Sequence, residues 1–213
     1  TDALIDKTVL QTLLNIELRN SFNAITVDSD TSTNDTVLAF ATGKAMDDKN
    51  QRIISRTSDP RLIKFREAFS EIMHDLAIQI VKDGEGAKKL IQIKVSGAEN
   101  TSSAKKIARS IADSPLVKTA VGASDPNWGR IIMAIGKVKE KINPKKISLN
   151  IGSNTIIKNG EISRSYSESR TKKYMKGKNI LLDINLGLGN SFSQIWTCDL
   201  TEDYIKINAD YRS

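Results

Sequence analysis

Glu85 is the most suggestive charged residue of the sequence, because it lies between Gly84 and Gly86 at the end of a predicted helix. Glycines allow a ligand to approach the backbone closely, and a carboxylate in such a place can bind the ammonium group of a substrate. The alternative is an ordinary helix end, where glycine caps the helix and the glutamate has no special role. The sequence leaves both interpretations open.

A second group of polar side chains closes the sequence. Residues 208–213 (Asn-Ala-Asp-Tyr-Arg-Ser) bring together an amide, a phenol, a guanidinium and a hydroxyl. Chain ends usually fray, whereas this composition suits a terminus that folds back into a polar pocket. An ordinary polar tail is the alternative.

Two internal segments also have two interpretations each. Residues 32–36 (Ser-Thr-Asn-Asp-Thr) either form a turn held by their own side chains or form a wall of an active site. Residues 124–130 (Ser-Asp-Pro-Asn-Trp-Gly-Arg) either form a rigid turn, with Trp128 packed in the core and Arg130 paired with an acid, or shape a pocket.

The rarest side chains exclude several kinds of site. His74 is the only histidine, which argues against a Ser-His-Asp enzyme and against a histidine-rich metal site. Cys198 is the only cysteine, so an intrachain disulfide and a cysteine zinc site are excluded, and a reducing compartment is expected. Thr1 stands first in the sequence. A threonine hydroxyl is a nucleophile when its own amino group acts as base; a fragment boundary is the alternative.

The composition is that of a globular protein. Charged residues make up 27% and hydrophobic residues 39% of the 213, unlike a disordered chain, and no apolar run approaches the ~20 residues that span a bilayer. The net charge of +7 suits either nucleic acid or anionic small substrates. Its densest part, residues 158–178, has no nucleic-acid motif and is predicted to be a solvated basic loop.

The hydrophobic pattern predicts a helix-rich first part, followed by a strand-rich part from about residue 90. Residues 61–82 give the strongest helix, with one apolar stripe, and residues 43–60 read as an exposed loop. Further helices are predicted at 7–23, 102–113 and 130–135, and strands at 25–27, 36–42, 91–96, 147–151, 155–158, 180–186, 191–197 and 204–208.

Taken together, the polar segments resemble the beta chain of the ornithine acetyltransferase family, also called glutamate N-acetyltransferases. The resemblance covers nearly the whole chain, and its motifs come in the family's order. They are residues 1–3, 32–37, 83–88, 116–120, 124–130 and 208–213.

The resemblance implies a reaction in two steps. In this family a precursor cleaves itself into alpha and beta chains. The new N-terminal threonine of the beta chain takes acetyl from N-acetylornithine and passes it to glutamate, which is nucleophilic catalysis with ping-pong kinetics. Bifunctional members also use acetyl-CoA. The oxyanion hole lies on the alpha chain, and no metal or organic cofactor is needed.

The resemblance also assigns site residues. Glu85 matches the family's substrate-binding glutamate, and Asn208 and Ser213 match binding residues at the C-terminus. The family's nucleophile lies in an Ala-Thr-Met-Leu segment, several residues before the Thr-Asp-Ala found here at residues 1–3. Thr1 therefore matches a later position, and we expect the nucleophilic threonine in a segment upstream. Residues 47–64 look longer than usual and are interpreted as a surface insertion.

We therefore expect an α/β fold with mixed sheets layered with helices, like that of ornithine acetyltransferases and their self-processing relatives, and completed by a separate alpha chain. Residues 1–90 are expected to complete the core shared with the alpha chain, and residues 91–213 to form the C-terminal α/β part. The expected assembly is a cytoplasmic α2β2 heterotetramer, with neither nucleic acid nor membrane as a partner. Two alternatives remain: a self-processing amidohydrolase or aminopeptidase with water as the acceptor, and a basic nucleic-acid-binding module.

Overall fold

A computed structural model describes residues 1–45 and 52–210. The chain divides into two compact units. One comprises residues 1–24 and 31–78, and the other comprises residues 25–30 together with the chain from residue 79 onward. The predicted division into 1–90 and 91–213 concerns how each part joins a separate chain, and it stays a prediction.

Two helices are the main regular elements of the first unit. Helix α1 spans Lys7–Glu17 and begins at Asp6, whose carboxylate accepts a hydrogen bond from the backbone N–H of Thr8 at 2.8 Å, a standard N-cap. Short 3-10 turns follow at Leu18–Asn20 and Phe22–Ala24. Helix α2 spans Leu62–Lys82, and its last turn belongs to the second unit. The core of the first unit is a small apolar cluster of Ile5, Val9, Leu10, Leu13, Ile54 and Leu62.

A six-stranded mixed sheet organises the second unit. In space its strands follow the order β4-β3-β2-β5-β1-β6; β1 and β5 are parallel and the remaining neighbours antiparallel. The strand bounds are Leu90–Ala98 (β1), Ser148–Ile151 (β2), Asn154–Lys158 (β3), Glu161–Ile162 (β4), Asn179–Asn185 (β5) and Ser191–Cys198 (β6).

Five helices accompany this sheet: α3 at Thr101–Ala112, α4 at Pro115–Gly122, α5 at Trp128–Gly136, α6 at Glu168–Met175 and α7 at Glu202–Asp210. A 3-10 turn spans Pro144–Lys146. Helix α3 packs on β1 and β6. Along β1 the residues alternate between buried and half-exposed, as the two faces of a strand require. The expected α/β fold, a mixed sheet flanked by helices, is confirmed.

Four predicted elements were wrong. Residues 25–27 were predicted as a strand, but only Ile25 pairs, in an isolated bridge to Trp196. Residues 204–208 were predicted as a strand and lie in helix α7. The predicted basic loop at 158–178 contains β4 and helix α6, which is capped by Ser167. Residues 36–42 form no strand with any described residue, although their exposure alternates with a period of two. Residues 47–51 of the predicted insertion at 47–64 lie outside the described residues.

Candidate functional site

Glu85 lies in the connection between α2 and β1, here called the glutamate loop (residues 83–89), and its side chain is exposed. Both neighbouring glycines are required by close packing. A Cβ on Gly84 would lie 2.9 Å from a Val27 methyl, and one on Gly86, where φ is +67°, would lie 2.5 Å from the backbone nitrogen of Tyr204. At Gly86 no side chain fits against the backbone, so this glycine lets the loop pack directly against the start of α7, whereas Gly84 lets the loop pack closely on Val27.

Asp199 holds the backbone of the glutamate loop in place. Its side chain is 2% exposed, and its Oδ1 accepts hydrogen bonds from the backbone N–H groups of Lys88 and Lys89, both at 2.8 Å. The Thr201 hydroxyl adds a third bond by donating to the carbonyl of Gly86 at 2.7 Å. Because bonds to an ionised acceptor are short and strong, the backbone of the loop is fixed to the segment that leads into α7.

The first turn of α7 makes two further contacts. Asp203 pairs with Lys88 at 2.7 Å on the surface, which lowers the pKa of the Asp203 carboxyl and raises that of Lys88. The Tyr204 hydroxyl donates to Asp28 Oδ2 at 3.0 Å. Partial burial and this hydrogen bond to a carboxylate raise the pKa of Tyr204 to about 12.

Lys89 connects the glutamate loop to the 124–130 segment. Its Nζ donates to the Val121 carbonyl (2.7 Å), the Ser124 hydroxyl (2.7 Å) and the Met175 carbonyl (2.8 Å). Ser124 holds a positive φ of 56°, unusual for a residue with a side chain. Burial lowers the pKa of Lys89. This one ammonium group therefore fixes three segments to each other.

Lys118 is 3% exposed and contacts the two residues that precede Asp199 in the sequence. Its Nζ donates to the Thr197 hydroxyl at 2.8 Å and to the Cys198 carbonyl, with the Cys198 sulfur 3.7 Å away. Burial lowers the pKa of Lys118 and raises the pKa of the Cys198 thiol. A buried thiol with a raised pKa is a poor nucleophile, so Cys198 is a packing residue.

The predicted C-terminal site residues, Asn208 and Ser213, follow the first turn of α7 along the chain. Asn208 is exposed one turn past Tyr204 on α7, and its amide nitrogen donates to the Tyr204 carbonyl at 3.0 Å. Four residues of helix correspond to about 6 Å along the axis. Ser213 lies outside the described residues, as do Tyr211 and Arg212. The structure thus brings Glu85 to the start of the helix that carries Asn208.

The two internal polar segments, residues 124–130 and residues 32–36, belong to different units. Trp128 packs against the apolar core of the second unit, as the rigid-turn interpretation expects. Arg130 donates to the Leu116 carbonyl at 2.8 Å and to the Thr119 hydroxyl, and among the described residues it pairs with no acid. In the first unit, residues 32–36 form an exposed turn in which the Ser32 hydroxyl accepts from two backbone N–H groups. Whether that turn also lines an active site stays open.

The residues that hold the glutamate loop in place were not predicted from the sequence. Asp199 and Thr201 lie in a segment without a recognisable motif, Lys89 directly follows the 83–88 motif, and the convergence of the three depends on the sheet. Lys118 alone carried a signal, because a lysine surrounded by apolar residues on α4 must find buried partners. Within the described residues, no cluster of His, Cys, Asp and Glu is suited to a metal ion, and no helix is both long and apolar enough to cross a membrane.

The fold is that of an α/β protein with a mixed sheet, and Glu85 is an exposed carboxylate on a loop that Asp199 and Thr201 fix. The comparison with known proteins is more specific. The model of the ArgJ family matches residues 1–213, and the chain belongs to the ArgJ family.

Named relatives agree over the full chain. The "Arginine biosynthesis bifunctional protein ArgJ" of Agrobacterium fabrum is 47% identical over 213 residues, and the protein of the same name from Nitrobacter winogradskyi is 49% identical. Each match covers 100% of this chain and 51% of the relative, so the chain spans about half the length of these curated relatives.

A solved structure also matches. A crystal structure of the arginine biosynthesis bifunctional protein ArgJ from Bacillus halodurans superposes with a TM-score of 0.91 at 42% identity. The match covers 99% of this chain and 96% of the crystallised chain.

Proposed function

We propose that this chain is the beta part of a self-cleaving glutamate N-acetyltransferase that moves acetyl from N-acetylornithine to glutamate. The observation that carries the proposal is the match of the whole chain to the ArgJ family. The relatives are named as bifunctional proteins of arginine biosynthesis, which supports acetyl-CoA as a second acetyl donor. A reducing cytoplasm is the expected compartment.

The proposed reaction has two balanced steps. The hydroxyl of a threonine upstream of Thr1 attacks the acetyl carbonyl of N-acetylornithine, the carbon–nitrogen bond breaks, and the proton goes to the departing amine of ornithine. The amine of glutamate then attacks the threonine ester. N-acetylglutamate leaves, and the threonine oxygen regains a proton. An acyl-enzyme replaces one difficult transfer with two easier ones.

Glu85, Asn208 and Ser213 are proposed to bind the substrates. N-acetylornithine carries one free ammonium group, which an exposed carboxylate such as Glu85 attracts. The amide of Asn208 and the hydroxyl of Ser213 are neutral donors suited to a substrate carboxylate. The contacts of Asp199 and Thr201 with the glutamate loop support this assignment, because a binding carboxylate needs a backbone that does not move.

Two findings support a second chain cut from the same precursor. Curated relatives are about twice as long as this chain, whereas the match covers 96% of the crystallised ArgJ chain. In addition, Ile72, Leu76 and Ile80 form a stripe on α2 that is 57%, 45% and 45% exposed. Apolar side chains at four-residue spacing usually face a partner. An alpha chain covering this stripe, within an α2β2 heterotetramer, is the proposed arrangement.

The role of Glu85 is tested with Glu85→Gln in the full-length protein. We expect the KM for N-acetylornithine to rise by about 10- to 100-fold, because one charge-assisted contact is worth roughly 1.5–3 kcal/mol, while self-cleavage continues. Glu161→Gln, at an exposed carboxylate of β4, is the matched control and should behave as wild type. Unchanged kinetics in Glu85→Gln would contradict the proposed role.

The alternative is a self-processing amidohydrolase or aminopeptidase, which would share the threonine chemistry but use water as acceptor. Product analysis in the presence of glutamate separates the two. N-acetylglutamate identifies the transferase, and free acetate alone identifies a hydrolase.

A further inference from the structure

We propose that the segment immediately preceding Thr1 runs as a β-strand parallel to residues 36–41 and pairs with their free edge. This inference rests on the proposed function for the existence of an upstream segment. The backbone contacts of Thr1 and the side-chain pattern of residues 36–41 support this pairing.

Thr1 already makes the hydrogen bonds of a parallel pair. Its amino nitrogen donates to the carbonyl of Phe40 at 2.8 Å, and its carbonyl accepts from the backbone N–H of Thr42 at 3.0 Å. Both bonds go to residues that flank Ala41, and not to a single residue. In antiparallel pairing one residue exchanges both bonds with the same partner, whereas in parallel pairing the bonds slant to two residues. Thr1 is therefore the parallel partner of Ala41.

This register determines where the preceding residues lie. The residue directly before Thr1 falls opposite Phe40, the second one back falls opposite Ala39, and the fourth one back falls opposite Val37. The second residue back would donate to the carbonyl of Leu38 and accept from the N–H of Phe40, because parallel bonds recur every two residues. Within residues 1–45 and 52–210, neither group has a backbone partner.

The side chains of residues 36–41 are already arranged as those of a strand. Ala39 and Ala41 pack on the apolar cluster of the first unit, whereas Leu38 and Phe40 are 69% and 68% exposed. An edge with unpaired backbone groups and large exposed apolar side chains readily accepts another strand. The segment before Thr1 is the proposed partner strand, because the two hydrogen bonds of Thr1 place this segment at the edge and parallel to residues 36–41.

The pairing has a consequence for the 32–36 turn. Counting back from the partnership of Thr1 with Ala41, the fifth residue before Thr1 lies opposite Thr36. Residues slightly earlier in the segment then lie beside the hydroxyl, amide and carboxylate groups of residues 32–35, all of which are exposed. A reactive side chain carried there would meet polar groups on a turn already ordered by the Ser32 hydroxyl.

The register is tested by a disulfide in the full-length protein. Phe40→Cys is combined with a cysteine at the residue directly before Thr1, whose side chain should lie on the same face, with a Cα separation near the 4.8 Å of neighbouring strands. The control combines Phe40→Cys with a cysteine two residues before Thr1, on the opposite face. The native Cys198 is buried and does not compete. Mild oxidation followed by peptide mapping should find the crosslink in the first variant and not in the control.

Hydrogen exchange on the unmodified full-length protein is the second measurement. The amides of Leu38 and Phe40 should exchange roughly 1,000-fold more slowly than in an unstructured peptide. Protection without the crosslink would show that another segment occupies the edge, and unprotected amides would show that none does; either result overturns the inference. Neither readout depends on acetyl transfer, so the pairing can fail while the proposed function stands, and the reverse.

Discussion

At the scale of single residues, the candidate site depends on buried groups that fix an exposed one. The Glu85 side chain is exposed, whereas Asp199, Lys89 and Lys118 each make two or more hydrogen bonds. Loss of hydration on burial lowers the pKa of Lys118, and the interaction with Cys198 offsets only part of this effect. These groups stabilise one geometry of the loop, and substitutions among them should affect stability before chemistry.

Asp199→Ala tests whether the buried groups act on stability rather than directly on chemistry. The substitution leaves two backbone N–H groups without an acceptor and removes a buried negative charge near Lys89 and Lys118. We expect the free energy of unfolding to fall by about 3 kcal/mol. Asp199→Asn keeps an acceptor oxygen and should lose clearly less. Denaturant unfolding of the full-length protein measures both, and equal losses would show that the hydrogen bonds to the loop are unimportant.

Tyr204 gives a prediction on pH. Its pKa of about 12 lies above the ordinary value of about 10, so the folded state holds this proton more tightly. The associated stabilisation is complete below pH ~10 and is lost as the pH rises through about 12. Asp28→Asn should shift the Tyr204 titration downward, because a carboxylate acceptor favours the protonated phenol. Tyrosinate absorbance measures this, with Tyr204→Phe identifying the signal; an unshifted titration contradicts the contact.

At the scale of elements, helix α2 has one side in the core and another in solvent. Met73, Ala77 and Val81 are buried, whereas the stripe of Ile72, Leu76 and Ile80 is exposed. The sequence pattern placed these exposed residues in one apolar stripe with buried ones such as Leu62. A sequence pattern shows which side chains are apolar, but it does not show whether another part of the protein covers them. The stripe is the element-scale reason to expect a further chain.

Leu76→Glu should weaken assembly with the remainder of the protein. Loss of a buried leucine costs roughly 1.5–3 kcal/mol, and a buried charge adds to it, so affinity should fall by at least ~100-fold. Glu67→Gln, at an exposed position on the same helix, is the control. Native mass spectrometry across a dilution series measures the assembled fraction. Dissociation equal to that of wild type would show that the stripe lies outside the interface.

Much of the fold was predictable from periodicity, and the exceptions have physical causes. Strands β1, β5 and β6 have clear apolar patterns, and α3 shows a clear helical stripe. Residues 204–208 were predicted as a strand because Tyr204, Ile205 and Ile207 form a short apolar run, which periodicity assigns poorly. The acidic first turn, Glu202 and Asp203, favours the helix that forms there.

The site was less predictable than the fold. Glu85 and its glycines stood out because their types and spacing are unusual. Asp199 did not, since its role depends on β6 ending beside the glutamate loop, a juxtaposition of residues about 110 positions apart in the sequence. Long-range convergence of this kind comes from sheet topology, which no local pattern encodes.

At the scale of the whole molecule, the central claim is that a precursor cuts itself and that the beta chain then carries acetyl. Denaturing intact-mass spectrometry of the natively purified full-length gene product, with and without N-acetylornithine, tests both parts. We predict two chains, of which the one that contains the sequence described here gains one acetyl group with the substrate. A single uncut chain, or two chains of which only the other is acetylated, would contradict the account.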